Sequence, residues 1–151
     1  MDKLAQLEHL IGNKASLDPV FWEGMLRLLE IKENCVFPMQ TVSKGEIIFD
    51  EGDTGDVAYA IQQGEVHIMK RHGDHETTLS VLRDNDFFGE MALIDGKPRS
   101  ASAVATTDSV LIVVSREQFI HRLEQYDPML KCIMKRLVEV IRRLDDALCA
   151  N

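Results

Sequence analysis

The hydrophobic positions fall into three zones with different periods. In residues 3–11, Leu4, Leu7, Leu10 and Ile11 recur at helical spacing, and Gly12-Asn13 supplies a stop. Asp18-Pro19 reads as an N-cap with proline at the first helical position. A second amphipathic helix then runs from Val20 to about Lys32 on Phe21, Met25, Leu28, Leu29 and Ile31. From Cys35 to Ser115 the period shortens towards two. Strands are predicted from Val36-Phe37 and over Glu46–Phe49, Val57–Ile61, Glu65–Lys70, Thr77–Leu82, Ser102–Ala105 and Val110–Val114. Lys44-Gly45, the Glu51–Asp56 loop, Gln63-Gly64 and Gly73-Asp74 separate them. Turns recurring every ~8–12 residues indicate an antiparallel sandwich or barrel.

The third zone is helical again. Ser115 is placed as an N-cap, and Gln118 three residues later completes a capping-box pattern for a helix ending near Glu124. Tyr126-Asp127-Pro128 breaks that helix and caps the last one, predicted from Met129 to about Leu148. Along it, Leu130, Met134, Leu137, Ile141, Leu144 and Leu148 are spaced as a heptad seam, widened by Ile133, Val138 and Val140. So much apolar surface needs covering, either by a partner chain or by the β layer.

Length and charge narrow the picture. A chain of 151 residues fits one domain, here mainly β with flanking helices. Its parts are N-terminal helices over 1–34, a β region over 35–115 and two C-terminal helices over 116–149. The formal net charge of −8 argues against nucleic acid or an acidic membrane as a partner. Any anionic ligand must then be held by local positive features. Cys35, Cys132 and Cys149 form no CxxC pair, which suits a reducing, cytoplasmic setting. The N-terminus is interrupted by Asp2, Lys3, Glu8 and His9, unlike a signal peptide, and no apolar run is long enough to span a bilayer. Asp50-Glu51-Gly52-Asp53 lacks the ligand alternation of a calcium loop, and the five histidines form no metal set. No metal or cofactor is expected.

The candidate chemistry lies in residues 88–105, FGEMALIDGKPRSASAVA. Gly89 permits close approach to the backbone. Glu90 opens a short helix-prone run, so the amides of Met91, Ala92 and Leu93 are expected to point at an anion. Arg99 adds a charge-assisted forked contact to the same anion. Glu90 cannot face a phosphate but suits ribose hydroxyls. A phosphate on one side and a ribose on the other describe a nucleotide; the alternative is an ordinary surface ion pair between Glu90 and Arg99.

Phe88-Gly89-Glu90 with Ala92-Leu93, then Pro98-Arg99-Ser100-Ala101, resembles the phosphate-binding cassette of cyclic nucleotide-binding domains. That family includes catabolite activator proteins, regulatory subunits of cyclic AMP-dependent kinase and cyclic nucleotide-gated channels. Lys44-Gly45-Glu46-Ile47-Ile48, Glu51-Gly52-Asp53 and Tyr59–Val66 also resemble its β-roll, extending the likeness to residues 20–145. The resemblance implies an antiparallel, jelly-roll-like β-roll with a cassette over 88–101. The candidate ligand-binding residues are Phe88, Gly89, Glu90, Met91, Ala92, Arg99, Ser100 and Ala101. Glu90 would take the ribose 2′-hydroxyl, and Arg99 and Ser100 the cyclic phosphate. The resemblance also implies that the leading helices move on binding, and that the last helix lids the ligand and forms a homodimer. Arg142 and Arg143 are the candidate lid residues, the alternative being solvation on the helix's outer face.

These features favour a cyclic nucleotide sensor signalling through its flanking helices to an unidentified effector. Ser100 fits neither base preference cleanly, with cyclic AMP favoured over cyclic GMP. The alternatives are a structural or protein-interaction module without ligand, or a regulatory fragment of a larger protein. A DNA-binding activator is disfavoured because the chain ends at Asn151 with no room for a helix-turn-helix. An enzyme is disfavoured because no nucleophile–base or metal constellation accompanies Glu90 and Arg99.

Overall fold

The computed structural model describes residues 37–150, and the two predicted N-terminal helices lie outside them. Eight strands follow: β1 (Met39–Val42), β2 (Ile47–Phe49), β3 (Val57–Gln63), β4 (Val66–His72), β5 (His75–Leu82), β6 (Phe87–Phe88), β7 (Ser102–Ala105) and β8 (Ser109–Ser115). The helices are α1 (Met91–Asp95), α2 (Arg116–Leu123) and α3 (Pro128–Cys149). The strands form two four-stranded antiparallel sheets, ordered β1-β8-β3-β6 and β2-β7-β4-β5. The period-two zone predicts two such antiparallel layers, and their arrangement with flanking helices is the β-roll that the family resemblance implies.

The core lies between the sheets. One contributes Val42, Tyr59, Ile61, Phe88 and Leu111, the other Val66, Ala103 and Ala105. The small alanines of β7 leave room for the large aromatic side chains opposite. Alternation held best where one face is buried. Where it failed, a physical reason is visible. Of the strand predicted from Val36-Phe37, Val36 lies outside the described residues, while Phe37 and Pro38 precede β1, because Pro38 has no N–H to donate and only accepts, at 2.9 Å from the Val113 amide. β6, two residues long, carries no readable period, yet it pairs Phe88 with Tyr59 and brings the chain to the cassette.

The helical zone follows its capping signals. Ser115 Oγ accepts from the Gln118 amide at 3.2 Å and the Gln118 side chain accepts from the Ser115 amide at 3.1 Å, closing the capping box. Asp127 caps α3 through the Met129 amide at 2.8 Å, with Pro128 in the first turn. Apart from Met134, the heptad seam faces away from the β-roll: Leu137, Leu144 and Leu148 are 56%, 57% and 67% exposed. The inward face instead carries Lys131, Met134, Val138, Arg142, Asp145 and Cys149.

Candidate functional site

α1 follows directly on β6, which pairs with β3 at the edge of one sheet. Gly89 adopts φ 82°, a left-handed conformation that a β-carbon would strain. Glu90 then becomes the N-cap of a helix only five residues long, which Gly96 ends in the left-handed region. The Leu93 amide donates to the Glu90 carbonyl at 3.0 Å, so the expectation that it points at an anion is corrected. The Met91 and Ala92 amides keep the first-turn position that has no intrahelical acceptor. So short a helix offers only a weak positive end.

Arg99 is buried, at 6% exposure. Its Nη1 donates to the Gly89 carbonyl and its Nη2 to the Val57 carbonyl, both at 2.6 Å. Nε is buried with no hydrogen-bond partner among the described residues. The guanidinium carbon lies 4.1 Å from the centroid of the Phe49 ring. A β-carbon on Gly55 would come within 2.7 Å of the Arg99 guanidinium and of Ala92 Cβ, so only glycine fits there. Burial pushes the Arg99 pKa down, opposed through space by Tyr59, Asp56, Asp53 and Glu90, and the group stays cationic. The surface-pair alternative falls, because Arg99 is buried on two carbonyls and forms no ion pair with Glu90.

Glu90 is half-buried, and desolvation lifts its pKa above the ordinary glutamate value, with its own amide and Arg99 opposing. Phe88, Gly89, Glu90, Met91, Ala92, Arg99, Ser100 and Ala101 all line one cavity of about 200 Å³, together with Phe49, Ile68, Ser80, Leu82 and Phe87. Its lining is mainly apolar. A larger open groove of about 530 Å³ lies elsewhere, lined by Asp50, Glu51 and Glu76 against Arg71, and its acidic balance does not suit an anion.

The two candidate lid arginines part company. Arg142 binds Asp95 at 2.6 and 3.0 Å and the Pro98 carbonyl at 3.1 Å, fastening α3 to the cassette. Arg143 points outward, 69% exposed, 4.0 Å from Glu139 on the same helix. Lys70 makes a second fastening that the sequence did not reveal. Its Nζ donates to the Ser100 carbonyl at 2.6 Å and pairs with Glu51 and Asp146 at 3.2 Å. Arg116 makes a third, from the start of α2 to the carbonyls of Gly55 at 2.9 Å and Ala92 at 3.3 Å. Among the described residues no His, Cys, Asp and Glu cluster could hold a metal, and no helix is long and apolar enough to cross a membrane.

The family model for the cyclic nucleotide-binding domain matches residues 39–126, more than half of the chain. The chain belongs to the cyclic nucleotide-binding domain family. Among curated proteins it is 39% identical over 85 residues to the cyclic AMP receptor protein of Thermus thermophilus, covering 56% of this chain and 39% of that one. It is 43% identical over 75 residues to the cAMP-dependent protein kinase regulatory subunit of Aspergillus fumigatus, covering 50% and 18%. Among solved structures it matches the EAL enzyme Bd1971 in its cAMP-bound form, with a TM-score of 0.71 and 36% identity, covering 75% and 30%. The cGMP-bound form of that enzyme matches with a TM-score of 0.67 and 38% identity, covering 70% and 28%. The chain thus spans well under half the length of the curated relatives named.

Proposed function

We propose that this domain is a sensor that binds a cyclic nucleotide in the cassette cavity and reports it through its C-terminal helices. One observation carries the reading: a buried cation, Arg99, is held on two carbonyls and a ring face instead of a carboxylate, with Nε unpartnered at a cavity that also holds Glu90. A charge kept buried without an acid partner is costly unless an anion shares the site. The phosphate sits against Arg99 and the Met91 and Ala92 amides, Glu90 accepts from the ribose, and Ser100 lies beside the phosphate. The base occupies the apolar wall of Ile68, Leu82 and Phe87. Cyclic AMP is the favoured ligand, since the two curated relatives carry it in their names; the cGMP-bound neighbour keeps cyclic GMP as the competitor to measure.

Output follows from the fastenings. α3 is bonded to Asp95, Pro98 and, through Lys70, to Ser100, so a ligand that displaces the cassette biases the position of the helix. The outward seam of α3 takes a second copy of the chain. Titration calorimetry with cyclic AMP and cyclic GMP, with Arg99→Ala alongside, tests the reading. Micromolar or tighter binding that the variant loses supports it; no heat and no thermal stabilisation with either nucleotide overturns it.

A further inference from the structure

We infer that Phe49 is a positioning residue for Arg99: its ring face sets the plane of the guanidinium so that the charge is presented to a phosphate without being neutralised. The inference rests on the nucleotide reading above. Phe49 ends β2, where a register shift after Ile47 interrupts the pairing with β7. Its ring packs 6.2 Å from Tyr59 and 6.0 Å from Phe88, centroid to centroid, so neighbouring aromatics fix it in place. Arg99 Cζ lies 4.1 Å above that ring, and Gly55 covers the guanidinium from another side. The two carbonyl bonds restrain only Nη1 and Nη2. They leave the group free to tilt about the line joining those atoms, and the ring and Gly55 remove that freedom.

The choice of an aromatic has a chemical reason. A carboxylate in place of Phe49 would hold Arg99 equally well but would cancel its charge and repel a phosphate. A ring face attracts the cation through its quadrupole and leaves the full positive charge available. A guanidinium fixed in this way loses little freedom when the anion arrives.

The test is calorimetry with cyclic AMP on the parent, Phe49→Leu, Phe49→Trp, Arg99→Lys and the Phe49→Leu/Arg99→Lys double variant, each checked for folding by thermal melting. Phe49→Leu should weaken binding about tenfold when Arg99 is intact and less than about twofold in the Arg99→Lys background, with Phe49→Trp within about threefold of the parent. An equal loss in both backgrounds would make Phe49 a direct ligand contact or a packing residue, and parental affinity in Phe49→Leu would dismiss it; either overturns the inference while the nucleotide reading stands. If Phe49→Leu does not fold, Phe49→Met takes its place in the same cycle. A separate readout needs no nucleotide. In the parent the Arg99 Nε–H proton resonance should carry an aromatic ring-current shift, and that shift should vanish in the Leu or Met variant. An unshifted parent resonance overturns the inference, whereas a parent that binds neither cyclic nucleotide removes the reading it rests on.

Discussion

Arg142 holds Asp95 with two hydrogen bonds, Nε to Oδ2 at 2.6 Å and Nη2 to Oδ1 at 3.0 Å, across forty-seven residues of sequence. Both side chains are largely shielded, at 15% and 7% exposure. The contact joins the inward face of α3 to the last residue of α1, so the terminal helix is bonded to the cassette itself.

Cutting this clasp should loosen α3 before it unfolds the β-roll. Asp95→Asn or Arg142→Ala is expected to lower stability by about 1.5–3 kcal/mol, the range for hydrogen bonds to charged groups. Hydrogen exchange should quicken along α3 and stay unchanged in β3 and β8. Burial pushes the Asp95 pKa up, but Arg142 and the Lys97 amide outweigh it and hold the carboxyl below its ordinary value. The folded value being depressed, this stabilisation is complete above the ordinary aspartate pKa and is lost as pH falls through the lower folded one. Uniform exchange rates in the variants would count against the clasp.

Lys70 should behave as the second fastening. Burial lowers its pKa, but Asp146 and Glu51 win and raise it overall. Its contribution is therefore fully present below the ordinary lysine value and is lost only as pH rises through the raised folded value. Lys70→Met should leave Asp146 without its partner and raise exchange in the last turns of α3 at neutral pH. Combining it with Arg142→Ala should release the whole helix, measurable as lost protection from about Val138 onwards.

Arg99→Ala should weaken cyclic nucleotide binding by about 2–5 kcal/mol, the usual loss on removing one partner of a desolvated charge pair. Calorimetry giving parental affinity would remove Arg99 from the phosphate site.

Glu90 should show opposite effects on stability and binding. Its raised pKa means that the folded state holds a proton the unfolded chain has already released. Stability therefore falls as pH rises from the ordinary glutamate value through the higher folded one. Glu90→Gln should raise the melting temperature of the protein alone at neutral pH, by about 2–4 °C if about 1 kcal/mol is recovered. The same variant should bind more weakly by about 1–2 kcal/mol, because hydrogen bonds from ribose to a charged acceptor are lost. A variant that loses both stability and affinity would mean that Glu90 is structural.

The seam on α3 should make a dimer. Leu137→Asp with Leu144→Asp alters residues 56% and 57% exposed, so the β-roll and its melting should be little changed. Sedimentation should give a dimer for the parent and a monomer for the variant. A parent that remains monomeric at tens of micromolar would leave the seam to another partner.

Much of this arrangement was legible in the chain itself. The period-two zone and its turn residues specify antiparallel strands in a sandwich or barrel, since alternation at period two is what a half-buried strand demands, and the resemblance to the family narrowed this to a β-roll. Ser115 with Gln118, and Asp127 with Pro128, mark two helix starts because a capping side chain lies within three residues of the amide it satisfies. The cassette was readable for the same reason: Gly89, Glu90 and Arg99 lie within one short stretch.

What acts across the chain was not readable. Phe49, Gly55, Lys70 and Arg116 carry no local pattern that singles them out, yet they meet Arg99, Ser100 and Ala92 from distant strands and loops. The sequence offered α3 two apolar options, covered by the β-roll or by a partner, and periodicity could not choose between them. Tertiary structure decided, because Arg142 and Asp146 have charged partners on the β-roll side, and docking them there turns Leu137, Leu144 and Leu148 outward. Local hydrogen bonding and hydrophobic period are properties of neighbouring residues, so the sequence alone determined the elements and the cassette. Which charges meet, and therefore which face of a helix is left uncovered, depends on where the folded backbone places residues that are far apart in the chain.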